Sequence, residues 1–331
     1  MKKNLSTILR RISFISIVAF GLLSSIGCSG GGGGGGVSSG LNYTGVTSQA
    51  IIDENNANEI ATGSLVGGEI GSNLSILGAV SENSNSTKSP LVFNIASYFL
   101  DVIYQIESST IQSAGYLGAV VTESDSIAGS CGGSISTSLT ADDQTGNFNG
   151  SLAFNNFCEP DSSVNGVMTL SGNIDVTTGV INYIEMSFTN ITMIAGQESI
   201  SLNGSMDFNL QSSPMRMTMS FVFKDNNLNK TYKYENFVYE YTQGVGYEDM
   251  TLTGRYYDPD YGYVDIITES PLRINDTDLY PSTGTVTATG DSGTKARLSV
   301  LDSSSFIVEA DTDGDGSYED YNSDPILWSS I

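Results

Sequence analysis

The run Asp311-Thr312-Asp313-Gly314-Asp315-Gly316-Ser317-Tyr318-Glu319-Asp320 sets carboxylates at alternate positions among glycines. Such spacing gathers several hard oxygen ligands around a tight turn, which is what calcium coordination requires. Asp311, Asp313 and Asp315 offer side-chain oxygens, Ser317 a backbone carbonyl, and Glu319 a further carboxylate. The competing reading is a solvated acidic turn, because Asp and Gly suit that backbone without an ion. Other chemistry is scarce. The 331 residues contain no histidine, which removes Ser-His-Asp and Cys-His catalysis, the usual zinc sites and the near-neutral proton switch. There is no Walker loop, dinucleotide fingerprint, nucleophile elbow or metal-spaced cysteine set. Among 37 acidic residues, no spacing singles out the pair that glycoside hydrolysis needs. Tyr257-Asp258-Pro259-Asp260-Tyr261-Gly262 reads as a hairpin turn with wet carboxylates. Tyr256, Tyr257, Tyr261 and Tyr263 suit strands, as core or sheet surface, better than a sugar-stacking platform. No catalytic residue is assigned.

The acidic run resembles the first half of an EF-hand-type loop, with Asp311, Asp313 and Asp315 in positions one, three and five, Gly316 at six, Ser317 at seven and Glu319 at nine. Position twelve is Asn322 instead of the bidentate Glu, and Phe306-Ile307-Val308 and Tyr318 to Tyr321 read as strands. The expectation is therefore a calcium-loop variant between strands, structural in role, or no ion at all.

Charge narrows the partners. The formal net charge is −24 and the pI about 4.1, with no basic run beyond the first eleven residues, so a phosphate backbone would be repelled. Those early charges, Lys2, Lys3, Arg10 and Arg11, precede an apolar stretch from Ile12 to Leu23, the pattern of a secretory signal. The ending Ser25-Ile26-Gly27-Cys28 resembles the bacterial lipobox. The resemblance implies that residues 1–27 are removed and that Cys28 is lipidated; Ser29 after the cysteine fits the outer membrane. Residues 28–40, including seven glycines from Gly30 to Gly36, form a tether that can bury nothing. Loss of the signal removes four basic residues and no acids, which takes the net charge to −28. Cys131 and Cys158 remain, and in an oxidising envelope compartment they are expected to pair. Two buried free thiols are the alternative. Such a crosslink constrains the unfolded chain by about 3 kcal/mol.

The elements that must position these groups follow from periodicity. Residues 41–117 are expected to be a helical segment packed on a sheet. Thr47 to Gly63 carries Ala50, Ile51, Ile52, Ala57, Ile60 and Ala61 at helical spacing. Tyr43-Thr44-Gly45, Ala50 and Asn56-Ala57 resemble the start of mature domains in uncharacterised bacterial lipoproteins, a resemblance that names no activity. Leu91 to Ser108 is apolar on most of its circumference and reads as a helix cradled by a curved sheet, since Asp101 at mid-segment disfavours a membrane span. Residues 118–331 read as one antiparallel β domain. Met215, Met217, Met219, Phe221 and Phe223 face one way, and Arg216, Thr218, Ser220 and Lys224 the other. That alternation slips by one residue at three aromatic-x-Asn-apolar tetrads, Phe154 to Phe157, Phe188 to Ile191 and Tyr234 to Phe237. A one-residue slip inside a strand predicts a β-bulge. Asn-Gly pairs at 149–150, 165–166 and 203–204 are either tight turns or strand glycines. The expected architecture is mainly β: a curved, half-barrel-like meander with one or two N-terminal helices on its concave side. The alternative is a β-sandwich.

The function expected from these features is that of a membrane-tethered envelope lipoprotein at the outer membrane, facing the periplasm or the exterior, with a non-enzymatic structural or interaction role. Its partner would be a protein or polysaccharide, with no nucleic acid. An apolar-ligand or lipid carrier that uses the concave face is the alternative, followed by a carbohydrate hydrolase with two carboxylates.

Overall fold

The computed structural model describes residues 40–65, 120–142, 144–160, 162–178 and 180–330. The expected signal, Cys28, the tether up to residue 39 and the 91–108 helix lie outside the described residues. The sheet opens with β1 (Val120–Ala128), β2 (Gly132–Asp142), β3 (Asn147–Glu159), β4 (Ser162–Asp175) and β5 (Val180–Ala195). It continues through β6 (Glu198–Asn209), β7 (Met215–Asp225), β8 (Lys230–Gln243), β9 (Tyr247–Asp258) and β10 (Gly262–Asn275). It ends with β11 (Thr283–Thr289), β12 (Lys295–Asp302), β13 (Ser305–Asp311), β14 (Tyr321–Asn322) and β15 (Ile326–Leu327). Strands β1 to β14 lie in sequence order, each antiparallel to its chain neighbour, and β15 returns to pair with β13. This is one open meander and not a sandwich.

Period-two patterning sends one side of each long strand from β2 onward inward. In β7, Met217, Met219 and Phe221 are buried while Arg216 is exposed. The inward residues from Ile135 to Trp328 join into a single apolar cluster. All three predicted slips are bulges. The pairing of β3 with β4 shifts between Phe154 and Phe157, that of β5 with β6 between Phe188 and Ile191, and that of β8 with β9 between Glu235 and Val238. The Asn of each tetrad takes up the left-handed turn: Asn156 (φ 49°), Asn190 (φ 51°) and Asn236 (φ 50°). Asn reaches this region at lower cost than most residues. Each freed amide donates to an outward side chain on an adjoining strand: Asn156 to Asn165 Oδ1, Asn190 to Asn203 Oδ1 and Asn236 to Ser220 Oγ. The Asn-Gly pairs are thus strand residues and not turns. Gly204 stands opposite Phe188 with φ +147°, and a Cβ there would lie 2.3 Å from Ser220 O and 2.4 Å from Phe221 Cα.

The N-terminal segment departs from expectation. A helix over 47–63 is predicted, but α1 begins at residue 57 and is described to 65. Asp53 stops it earlier by capping: its Oδ1 accepts from the Asn55 and Asn56 amides, while Asn56 Oδ1 accepts from the Asp53 amide. Residues 40–52 instead form a strap from the outward to the inward face. Asn203 Nδ2 donates to Leu41 O, Thr44 Oγ1 to Thr231 Oγ1, and the Tyr43 ring meets outward-facing Tyr257 edge-on at 5.4 Å. The strap then rounds the β9–β10 turn, where the Val46 amide donates to Pro259 O and Tyr263 pairs with Ser48 and Ala50 through its amide and carbonyl. A Cβ on Gly45 would lie 2.5 Å from Pro259 Cα, so only glycine passes here. Beyond it α1 buries Ala57, Ile60, Ala61 and Leu65 in the core, and Tyr234 donates to Gly63 O. No described helix is long and apolar enough to cross a membrane.

Because Asn190 occupies a left-handed conformation, Asn190→Gly is expected to hold stability within about 1 kcal/mol. Asn190→Val or Gly204→Ala should each cost about 1–3 kcal/mol. Urea unfolding of the three variants measures the difference.

Candidate functional sites

The acidic turn leaves the end of β13 and returns at β14, which pairs back through Glu309 with Asn322 and Ala310 with Tyr321. Asp311, Asp313 and Asp315 each place a carboxylate oxygen within 4.8 Å of the others. Asp311 is fully buried. Its Oδ1 accepts from the Gly314 amide at 2.8 Å and its Oδ2 from the Gly316 amide at 2.9 Å. Asp313 Oδ1 accepts from the Asp315 amide, and Asp315 Oδ1 from the Ser317 amide. The carboxylates therefore hold the turn by themselves, yet each oxygen retains a lone pair for a hard cation. Glu319 is exposed and is not among the converging residues; Asp320 closes the loop by accepting from the Thr312 amide and hydroxyl.

Glu59, Asp258 and Asp260 also converge within 4.8 Å. This second cluster already has its cation. Lys230 Nζ stands 2.5 Å from Asp260 Oδ2 and 3.7 Å from Glu59 Oε1, which raises its pKa and ties α1 to two hairpins. The β9–β10 turn forms as expected, but its carboxylates are not all wet. Asp258 is fully buried because the strap and α1 close over it. Tyr256 donates to Asp258 Oδ2, and the Asp260 and Tyr261 amides donate to Oδ1. Burial, with Glu59 and Asp260 adding to it, pushes the Asp258 carboxyl above the usual range, and the two amides pull the other way. Tyr256 and Tyr257 are buried, in keeping with a structural role for the tyrosines.

A third site is absent from the sequence expectations. A wide-open groove of about 650 Å³ lies over β3 to β6, lined by Asn149, Gly150, Thr169, Leu170, Ser171, Glu185, Ser187, Ser205 and Asp207. Two cross-strand rows build it. One row reads Ser124, Ser138, Ser151, Thr169, Ser187, Ser205 and Ser220, a hydroxyl from each of seven consecutive strands in direct register. The next row reads Thr122, Thr140, Asn149, Ser171, Glu185, Asp207 and Thr218. Thr122 and Thr140 share a hydrogen bond of 3.0 Å, and Ser171 Oγ donates to Glu185 Oε2 at 3.1 Å. Glu185 and Asp207 are directly opposed, so partial burial first and the Glu185 charge second raise the Asp207 pKa. No Lys or Arg pairs with either among the described residues. The pairing was derivable in principle. Ala195 opposes Glu198 across a two-residue turn, and one bulge at Phe188 to Ile191 then carries the count to Glu185 opposite Asp207.

Cys131 and Cys158 are joined as a disulfide with Cα atoms 5.2 Å apart, which pins the β1–β2 turn to the end of β3. Comparison of the chain with family models, curated proteins and solved structures returns no match.

A carboxyl whose pKa is raised by folding favours the folded state below its unfolded pKa, and that advantage is lost as pH climbs through the folded value. Between pH 3 and pH 7 the native chain is therefore expected to lose stability relative to Asp258→Asn, a difference that urea unfolding of both chains at each pH measures. Asp258→Ala should lose about 1–3 kcal/mol throughout, because it strands two amides and the Tyr256 hydroxyl.

Proposed function

We propose that the chain is a membrane-tethered envelope lipoprotein with a non-enzymatic interaction role, anchored through Cys28 and working through the outward face of its sheet. The observation that carries this reading is the path of the strap. Gly40 and Leu41 meet the outward face beside Asn203, on the same strand and face as Ser205 and Asp207 of the groove. The first described residues after the expected tether are thus held at the groove-bearing face before the chain turns into the core. The groove is open and walled by hydroxyl, amide and carboxylate groups, which suits reversible adhesion. The carrier reading drew on the 91–108 helix, and the groove offers it nothing, being polar and outward-facing.

Calcium at Asp311, Asp313 and Asp315 is a separable part of the proposal, supported by the convergence of the three carboxylates on a buried anchor. Its role would be to stiffen the β13–β14 excursion.

Two experiments test these readings. In a bacterial host fed a labelled fatty acid, the native chain should carry label and sediment with outer membranes, while Cys28→Ala should carry none. An unlabelled native chain overturns the anchor, and a native chain that co-sediments with no envelope polymer or protein overturns the interaction role. For calcium, a saturating millimolar concentration against chelator should raise the melting temperature; binding at a hundred times Kd adds about 2.7 kcal/mol. Asp313→Asn with Asp315→Asn should abolish the rise, and no rise in the native chain removes calcium from the account.

A further inference from the structure

The groove over β3 to β6 carries chemistry that narrows its occupant, and the inference rests on the interaction role proposed above. We propose that it binds a polysaccharide whose sugars bear free amino groups.

Three observations converge on that class. First, apart from the backbone beside Gly150 and the core residue Leu170, the lining consists of hydroxyls, one amide and two carboxylates. Protein partners are held mainly by buried aromatic and aliphatic anchors, and this groove exposes none in its floor. Hydroxyls and carboxylates instead match the dense hydrogen-bonding groups of a sugar chain. Second, Glu185 and Asp207 are opposed on neighbouring strands with no cationic side chain paired to either among the described residues. Ser171 satisfies one oxygen of Glu185 but does not neutralise it. A cation delivered by the ligand would relieve the repulsion, and against a chain of net charge −24 a polyanion would be turned away. Third, the hydroxyl row repeats at the interstrand spacing of about 4.8 Å over seven strands, so the face favours an extended repeating ligand over a single small molecule. Tyr183, exposed two residues along β5 from Glu185, stands at the margin where a sugar ring could stack.

The test is calorimetric titration of the full chain in detergent with a glucosamine hexasaccharide, an N-acetylglucosamine hexasaccharide and spermidine. The free-amine hexasaccharide should bind at least about tenfold more tightly than the acetylated one, and its affinity should fall as salt rises. Glu185→Gln with Asp207→Asn should erase that preference. Ser205→Tyr, which fills the groove, should abolish binding, whereas Thr251→Tyr on the same face outside it should leave binding unchanged. The proposal is overturned if neither hexasaccharide binds, if both bind equally, or if the double variant keeps the preference. It is equally overturned if spermidine binds as tightly as the free-amine hexasaccharide, since the site then reduces to two charges. A native chain that fails here but still carries lipid and co-sediments with envelope material leaves the interaction role standing.

Discussion

A strand bonded only to its chain neighbours satisfies its backbone cheaply but leaves two faces to be disposed of, and here one of them is apolar from β2 to β13. Covering that face is the constraint on which the rest of the molecule depends. A flat sheet of this width could not do it. The bulges at Asn156, Asn190 and Asn236 bend and further twist their strands, and the sheet rolls about its own core residues. Each bulge releases an amide that the outward side must accept, and Asn165, Asn203 and Ser220 do so. The inward burial and the outward polarity are therefore coupled through the same residues.

The strap answers the same constraint at one end of the sheet. Residues 40–46 cross the outer face and 48–52 pass the rim beside Tyr263 and Thr294, after which α1 contributes its apolar side to the core. Four residues hold the chain in this passage. Tyr43 packs on Tyr257, Gly45 clears Pro259, Ala50 is fully buried while its amide and carbonyl pair with Tyr263 and Asp291, and Asn56 completes the helix cap. The cost is the buried Asp258 carboxyl, offset by two amides and the Tyr256 hydroxyl. Lys230 holds the neighbouring charges together, but much of that ion pair is solvated and its net worth is small.

Much of the fold was legible because the signals were local. A tetrad of four residues contains its whole bulge: the slip in phase, the Asn that accepts positive φ and the aromatic that stays inside. The helix start was misplaced for a local reason as well, since apolar spacing over 47–55 masked the cap made by Asp53 and Asn56. The acidic turn was legible as to Asp311, Asp313 and Asp315. Glu319 stands outside that convergence, and the closing contact is made by Asp320. The burial of Asp258 could not be read from its turn motif, because what covers it comes from some two hundred positions earlier in the chain.

The sequence by itself determined the fold class, the bulges, the pairing partners of most strands and the acidic, histidine-free character that excludes several chemistries. These follow from periods of two residues and from backbone preferences that act within a few positions. The tertiary structure decided that seven hydroxyls line up across seven strands and that Gly40 and Leu41 meet the face that carries them. Such placements are sums of registers over many turns and bulges, in which one residue of error moves a side chain to the other face. Only the burial of a single continuous core makes one total better than the rest.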